Sequence, residues 1–407
     1  MSAFDITIAG AGYAGRVLAL ALSGASGVRF GLRLVDAAPA HARPNDTRAY
    51  AMAASTVRML EELGVWQRLG GRAQACSGMR ITDSRAAELV RPALLTIAGQ
   101  AREGEPFAHF VEGRDLARAI AEACDEAGIA VEHDFAVDDI EVDTYGVAID
   151  GGDATSRLLV GADGARSSVR RAAGIRTVDW SYGQDAIITI VETEVRHEGE
   201  AVQHFLPGGP FAMLPLPGDR PGGRRGIVWT EKTEAAERLA RLGADDFLEE
   251  LARRAGPEVG EITVVEAPRV YPLDLILARA FVVPRVALVG DAAHRLHPLA
   301  GLGLNMGLRD VAALAQVVVE AARRGEDIGS LAVLERYQRW RRFDTVQVAA
   351  ATEAINRLFS NDLGPLRALR DVGLGIVDRM GPLKKMFVNE AAGDAGRAPR
   401  LLRGEPV

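Results

Sequence analysis

Asp291 stands at the end of a short apolar run, Arg285-Val286-Ala287-Leu288-Val289-Gly290, which reads as a buried strand delivering the acid at its C-terminal edge. An acid in that place suits the hydroxyls of a polyol better than a phosphate. Beyond it, Gly301, Gly303 and Gly307 let the backbone approach a ligand closely. Leu308, Val311, Leu314 and Val318 then recur at helical spacing, which predicts a helix starting near Asn305. Free amides at such a start, from Gly301 through Leu302, Gly303 and Leu304 to Asn305, make an anion site. Acid and amide cradle together fit a ligand with a polyol and a ring that becomes anionic, which describes a reduced flavin. They equally fit an ordinary strand–helix loop whose glycines serve packing; the rest of the chain must decide.

A second set of residues lies near the N-terminus. Phe4-Asp5-Ile6-Thr7-Ile8-Ala9 reads as a strand, Gly10-Ala11-Gly12-Tyr13-Ala14-Gly15 follows, and Val17 to Leu22 continue as a buried helix. This is G-x-G-x-x-G in strand–turn–helix context: Gly10 makes the turn, Gly12 admits a pyrophosphate and Gly15 lets helix and strand pack. Asp36 ends the next strand, Leu32 to Val35, about 20 residues on, where the acid that binds a ribose hydroxyl belongs. An unphosphorylated ribose favours FAD or NAD over NADP. Asp46-Thr47-Arg48 reads as the entry of a helix through Val57, Leu60 and Leu63. Arg48 there either reaches a diphosphate or flavin edge or pairs with Asp46. Arg114, opening an amphipathic helix through Leu116 and Ile120, poses the same choice. Asp163 lies in a further turn, Gly161-Ala162-Asp163-Gly164, behind the buried strand Leu158 to Val160. His294 and His297 are three residues apart, but Pro298 biases His297 away from helix and no third ligand is near. No metal is expected; hydrogen bonding, or contact with flavin or substrate, is.

Positioning these residues takes more than one simple domain. At 407 residues, two intimately packed domains are expected, and 48% hydrophobic with 25% charged residues is ordinary for a globular chain. A net charge of -7 argues against a nucleic-acid partner. Cys76 and Cys124 form no metal-type spacing and no disulfide framework. The best apolar run, Ala312 to Ala322, is broken by Gln316 and Glu320, so no membrane span is expected. With a strand starting almost at Met1 there is no cleavable signal in view, which fits a cytoplasmic protein.

The fold class expected is α/β: a Rossmann-like dinucleotide-binding domain with an inserted antiparallel-sheet substrate domain and C-terminal helices. Its first domain takes 1–75, 101–178 and 269–330. Residues 76–100 and 179–268 form the inserted sheet, the roof of a substrate cavity, with acidic turns in a meander from Val131 to Ile149 beside the nucleotide fold. Helices occupy 331–393, and 394–407 reads as a disordered tail.

Gly10 to Gly15, Gly161 to Gly164 and Gly290-Asp291, in this order, resemble the FAD-dependent aromatic hydroxylases. Gly290 to His294 with His297-Pro298-Leu299-Ala300-Gly301, Asn305, Gly307 and Asp310 is similar to the ubiquinone-biosynthesis branch, the 2-polyprenylphenol and 2-polyprenyl-6-methoxyphenol hydroxylases. Arg357-Leu358-Phe359-Ser360-Asn361 and Pro382-Leu383-Lys384 extend that likeness over the whole chain. The resemblance implies non-covalent FAD, with Gly10, Gly12, Gly15, Asp36, Arg48 and Arg114 on the adenosine and diphosphate side. It gives Asp163 a part in both FAD and NAD(P)H handling, Asp291 the ribitol, and the 301–305 amides the pyrimidine end of the ring. Pro298 is implied to lie beside the flavin, with Gly301, Leu302 and Gly303 completing the catalytic centre. NAD(P)H would reduce the flavin, and molecular oxygen would form a flavin hydroperoxide that attacks a phenol, which calls for a dry cavity.

Leu302 departs from the branch, which has Gln there. Backbone amides can hold a flavin anion instead, each contributing ~1.5–3 kcal/mol and the helix dipole up to about 2 kcal/mol. Three readings stay open: a hydroxylase of a polyprenylated ubiquinone precursor, a hydroxylase of a small soluble phenol, and a flavin-bound non-catalytic component of a biosynthetic complex. A tryptophan-halogenase reading lacks its Trp-x-Trp signature, since Trp66, Trp180, Trp229 and Trp340 are isolated. Between Pro365 and Phe387, Leu366, Leu369 and Ile376 share a helical face while Arg367, Arg370, Lys384 and Lys385 add positive charge. That segment fits packing on the protein's own core, peripheral contact with anionic lipid at an inner membrane face, or docking to a complex. A homo-oligomer is compatible with the chain.

Overall fold

The computed structural model describes residues 4–41, 46–83, 91, 93–98, 100–151, 155–218, 222–297, 301–359, 393 and 398–407. Ile6 and Ile8 are fully buried in the strand Phe4–Ala9 because it runs through the middle of a parallel sheet covered on both faces. Leu32–Val35 and Thr155–Gly161 flank it, with Val131–Glu132 and Val286–Leu288 beyond them, all in parallel. Ile140–Val142 and Val147–Ile149 form an antiparallel hairpin at the margin, the acidic meander of the sequence reading.

Helix α1 (Tyr13–Ser23) follows the first strand directly, and its buried Val17, Leu18 and Leu22 pack into the core. The chain near Arg48 is not a helix entry. Ala49–Ala53 is a strand, antiparallel to Ala108–Glu112, and helix α2 (Ala54–Glu62) starts only after it. Alanine and methionine favour helix locally, but pairing with a distant strand and burial of Met52 override that preference. Helices α3 (Gly113–Glu126) and α4 (Ser168–Ala172) complete the first layer.

The second layer is a sheet whose order runs His294–Arg295, Ile262–Ala278, Thr177–Thr193, Gly223–Lys232, Gly209–Leu216, Glu200–Leu206, Gly78–Asp83 and Ala93–Ala98. Gly78–Asp83 joins by parallel pairing with Glu200–Phe205, which explains why a segment from the 76–100 stretch belongs to this sheet. Thr177–Thr193 and Ile262–Ala278 are long and paired along their length, so the sheet runs past the 178/179 and 268/269 limits expected from sequence. Its two faces differ. Ile187, Phe211 and Trp229 pack against Leu239 and Phe247 of α5 (Thr233–Ala240) and α6 (Ala244–Ala255). On the other, Ala186, Ile188 and Leu273 form an apolar surface with Tyr182, Val228 and Tyr271.

His204 is fully buried in this sheet, its Nδ1 2.7 Å from Thr82 Oγ1 and its ring stacked on Phe211. Burial, with Arg91 and Arg80 nearby, pushes its imidazole from 6.5 down to about 4. Below pH 6.5 the unfolded chain therefore binds a proton that the native chain refuses, and stability falls as pH drops towards 4. The loss at pH 5 is about 2 kcal/mol. Urea midpoints at pH 7 and pH 5 should show it, and His204→Gln should shrink the difference between them.

Helix α7 (Leu302–Arg323) runs back through the first domain, packing on α1 and on α8 (Leu331–Phe359). It begins at Leu302 rather than near Asn305, because Gly301, with φ 66, turns the chain sharply enough to start it there. The expected disordered tail is corrected as well: within 394–407, residues 398–407 pack on the first domain. Leu401, Leu402 and Val407 are buried, Arg58 Nε donates to the Leu402 carbonyl at 3.0 Å, and Ser26 N donates to that of Val407 at 3.1 Å. Apolar residues at the chain end find a docking face on α2 that composition does not reveal. The basic amphipathic stretch from Pro365 to Phe387 lies outside the described residues.

Candidate cofactor and active site

Gly10 leaves the first strand with φ 101, and a Cβ there would lie 2.4 Å from the Ala162 carbonyl oxygen. A Cβ on Gly15 would lie 1.8 Å from the Gly10 oxygen, so this glycine is demanded by the contact of helix on turn. Gly12 is different: a Cβ there meets nothing within 4 Å. The protein leaves this space open, at an α1 N-terminus with no side-chain cap. Gly10, Gly12, Asp36, Asp163, Gly164 and Ser168 line a cleft of about 300 Å³ at that point. Asp36 accepts from Ala11 N at 2.5 Å and Ala38 N at 2.7 Å, which fixes its carboxylate at the rim. Asp163 accepts from Ser168 N at 2.8 Å and Val169 N at 3.1 Å, capping α4, while its Oδ1 is buried without a partner among the described residues.

The two candidate arginines are held by carboxylates. Arg48 makes a fork to Asp46, Nε to Oδ1 at 2.8 Å and Nη2 to Oδ2 at 2.7 Å. Its guanidinium also lies over the rings of Tyr50 and Tyr271, at 5.2 and 5.7 Å, so it bridges the first domain to the apolar face of the second sheet. Arg114 donates to Glu112 at 2.6 Å and to Glu266 at 2.8 Å, again joining the two domains. Asp46 is a hub that the sequence reading treated only as a possible partner. The hydroxyls of Tyr13 and Tyr50 lie 2.9 and 2.8 Å from its Oδ2. Burial pushes its carboxyl up, but hydrogen bonds and charge from Arg48 prevail and hold it below the usual range. Burial and the Asp46 charge push the Tyr13 phenol well up, so it stays a donor.

The second cradle is built from the α7 start. Gly301 approaches the Ala49–Ala53 strand so closely that a Cβ would lie 3.1 Å from Ala51 Cβ, and no side chain caps the helix. Asn305 locks this arrangement: its Oδ1 accepts from Ala53 N and Thr56 Oγ1, both at 2.9 Å, and its Nδ2 donates to the Ala51 carbonyl at 2.6 Å. Asn305 thus acts through its side chain, a clamp that no local pattern signals. A Cβ on Gly303 meets nothing within 4 Å, leaving the first turn open to a ligand. Leu304 packs on the core. Pro298 and the side chain of Leu302 lie outside the described residues.

Asp291 sits in the turn after Val286–Leu288, exposed along the open side yet deep enough that desolvation raises its carboxyl, with His294 and Arg295 opposing. The turn is fastened from behind by Asp310, which is fully buried on α7. Asp310 accepts from Gly290 N at 3.1 Å, lies 2.5 Å from His294 Nε2, and accepts from Arg341 Nε at 2.8 Å. Sequence reading noted Asp310 as part of a motif but missed Arg341, which comes from α8. His294 is thereby occupied, and no metal-type cluster is found among the described residues. His297 is buried with neither ring nitrogen bonded among the described residues.

Two helix starts without side-chain caps thus accompany two carboxylates, Asp36 and Asp291, that follow parallel strands of the first sheet. Over residues 3–352 the chain matches the family described as FAD binding domain. It is 41% identical to the ubiquinone hydroxylase UbiL of Rhodospirillum rubrum, over 99% of this chain and 93% of that one. It belongs to the ubiquinone-biosynthesis hydroxylase family. The 3-demethoxyubiquinol 3-hydroxylase of Escherichia coli, another relative, is 32% identical over 96% of this chain and 98% of its own. The fold also matches p-nitrophenol 4-monooxygenase PnpA from Pseudomonas putida, with TM-score 0.79, 18% identity, and coverage of 98% and 100%. That likeness establishes the aromatic hydroxylase architecture: a Rossmann-like domain, an inserted sheet and C-terminal helices.

FAD fits the residues present. The space left at Gly12 would take a diphosphate beside the α1 amides, Asp36 would take a ribose hydroxyl, Asp291 the ribitol, and the open α7 start the anionic edge of the ring. Bound there, FAD supplies the activation of oxygen for transfer to an aromatic ring.

Proposed function

We propose that this FAD-dependent aromatic monooxygenase takes NAD(P)H as its reductant and hydroxylates the phenolic ring of a polyprenylated ubiquinone precursor. The observation that carries this reading is similarity along the whole chain to a ubiquinone hydroxylase, 41% identical over 99% of its length. The site is consistent in chemistry: the face formed by Ala186, Ile188 and Leu273 is apolar and would keep water from a ring bound against it. None of the described helices is long and apolar enough to cross a membrane, so the lipid-soluble substrate would be met at a membrane surface or delivered by a partner.

Purified protein loaded with FAD, given a polyprenylphenol in detergent, NADH or NADPH and ¹⁸O₂, is expected to yield a singly hydroxylated product carrying one ¹⁸O atom. Reductant consumed with hydrogen peroxide as the sole product, across tail lengths from none to long, would refute the assignment. Turnover only with a tailless phenol would replace the substrate class.

A further inference from the structure

His297 has no task in the cofactor cradle, and its setting is costly. The ring is 1% exposed, and neither Nδ1 nor Nε2 has a hydrogen-bond partner among the described residues. Leaving a buried donor and a buried acceptor unmet is unfavourable, a cost that a bound ligand can offset. Tyr182 meets the ring edge-on, with centroids 5.0 Å apart and planes at 84°. Tyr182 also joins two apolar groups: Leu275, Leu296, Met306 and Ala349 on one side, and the roof residues Ala186, Ile188 and Leu273 on the other. His297 therefore lies beside Tyr182, where the two apolar groups meet, four residues before Gly301 and the open start of α7.

Resting on the phenol reading above, we propose that His297 is the substrate-positioning residue that hydrogen-bonds the phenolic hydroxyl, aligning the ring against the flavin. Desolvation pushes the imidazole down to about 4, so at neutral pH the ring is uncharged and one nitrogen is an acceptor.

The test is equilibrium dialysis of the FAD-loaded protein, without reductant, against 2-prenylphenol and against prenylbenzene, which lacks only the hydroxyl. Wild type should bind the phenol at least about tenfold more tightly. His297→Leu should abolish that preference while FAD content and prenylbenzene binding stay unchanged, and His297→Gln, which keeps a polar amide, should restore part of it. Should His297→Leu release FAD, the Gln variant decides, by whether phenol preference falls while FAD is retained. A variant that keeps the full preference, or weakens both ligands alike, would overturn the role of His297 and leave the phenol reading standing. A wild-type protein with no preference for the phenol would overturn both.

Discussion

Gly12→Val is expected to give a folded protein that is colourless. A Cβ at this position touches nothing in the protein, so the backbone and the contact of α1 with the first strand survive the change. The branched side chain instead fills the space before the α1 amides, where a diphosphate must approach. Losing two charge-assisted hydrogen bonds, at ~1.5–3 kcal/mol each, weakens FAD binding by roughly a hundredfold or more. The ratio of flavin to protein absorbance reads retention, and thermal melting of the apo forms reads the fold. Gly15→Ala is the contrasting control: its Cβ would sit 1.8 Å from the Gly10 oxygen, so melting should fall as well as retention. A yellow Gly12→Val protein at full flavin stoichiometry would refute the placement of the diphosphate.

Asp310→Leu carries the second large effect, a loss of about 3–5 kcal/mol in stability. The carboxylate is fully buried, and its removal takes a partner from Arg341, which is only 1% exposed and keeps its ion pair with Asp344, and from His294 and the amide of Gly290. Urea unfolding should show a lower midpoint, and adding Arg341→Leu should recover part of the loss, because no charge short of a partner then remains inside. Burial raises the Asp310 carboxyl, but His294 and Arg341 outweigh it and hold it below the usual value. A depressed carboxyl contributes stability above the unfolded value of about 4, and that contribution is lost only as pH falls through the lower native value. Wild type and Asp310→Leu should therefore differ most near neutrality and converge in strong acid. Equal midpoints at pH 7 would show that the triad contributes nothing net.

The second effect reaches the site through Gly290. A Cβ on Gly307 would lie 3.1 Å from Gly290 Cα, so α7 presses directly on the turn that presents Asp291. Asp310, one turn further along the helix, bonds the same turn through its amide. Flavin affinity should consequently fall in Asp310→Leu even though Asp310 itself lies behind the turn.

What the sequence determined by itself was local. Gly10, Gly12 and Gly15 belong to one strand, turn and helix, and Asp36 to the adjoining parallel strand, so spacing alone reports their geometry. Gly290-Asp291 before a glycine-led helix is legible for the same reason. Tertiary structure decided whatever depends on partners far along the chain. Arg48 was readable as a ligand or as the partner of Asp46; the fold pairs it with Asp46, on whose carboxylate Tyr13 and Tyr50 also converge. The Ala49–Ala53 strand looked helical because its own residues favour helix, and the distant Ala108–Glu112 strand overrode them. Asn305 closes on Ala51 and Ala53, Arg341 on Asp310, and the chain end on Arg58, all across long separations. Propensity and periodicity register only neighbours within a few residues, whereas these contacts arise when burial removes water and leaves each polar group to find its partner wherever the fold has brought one.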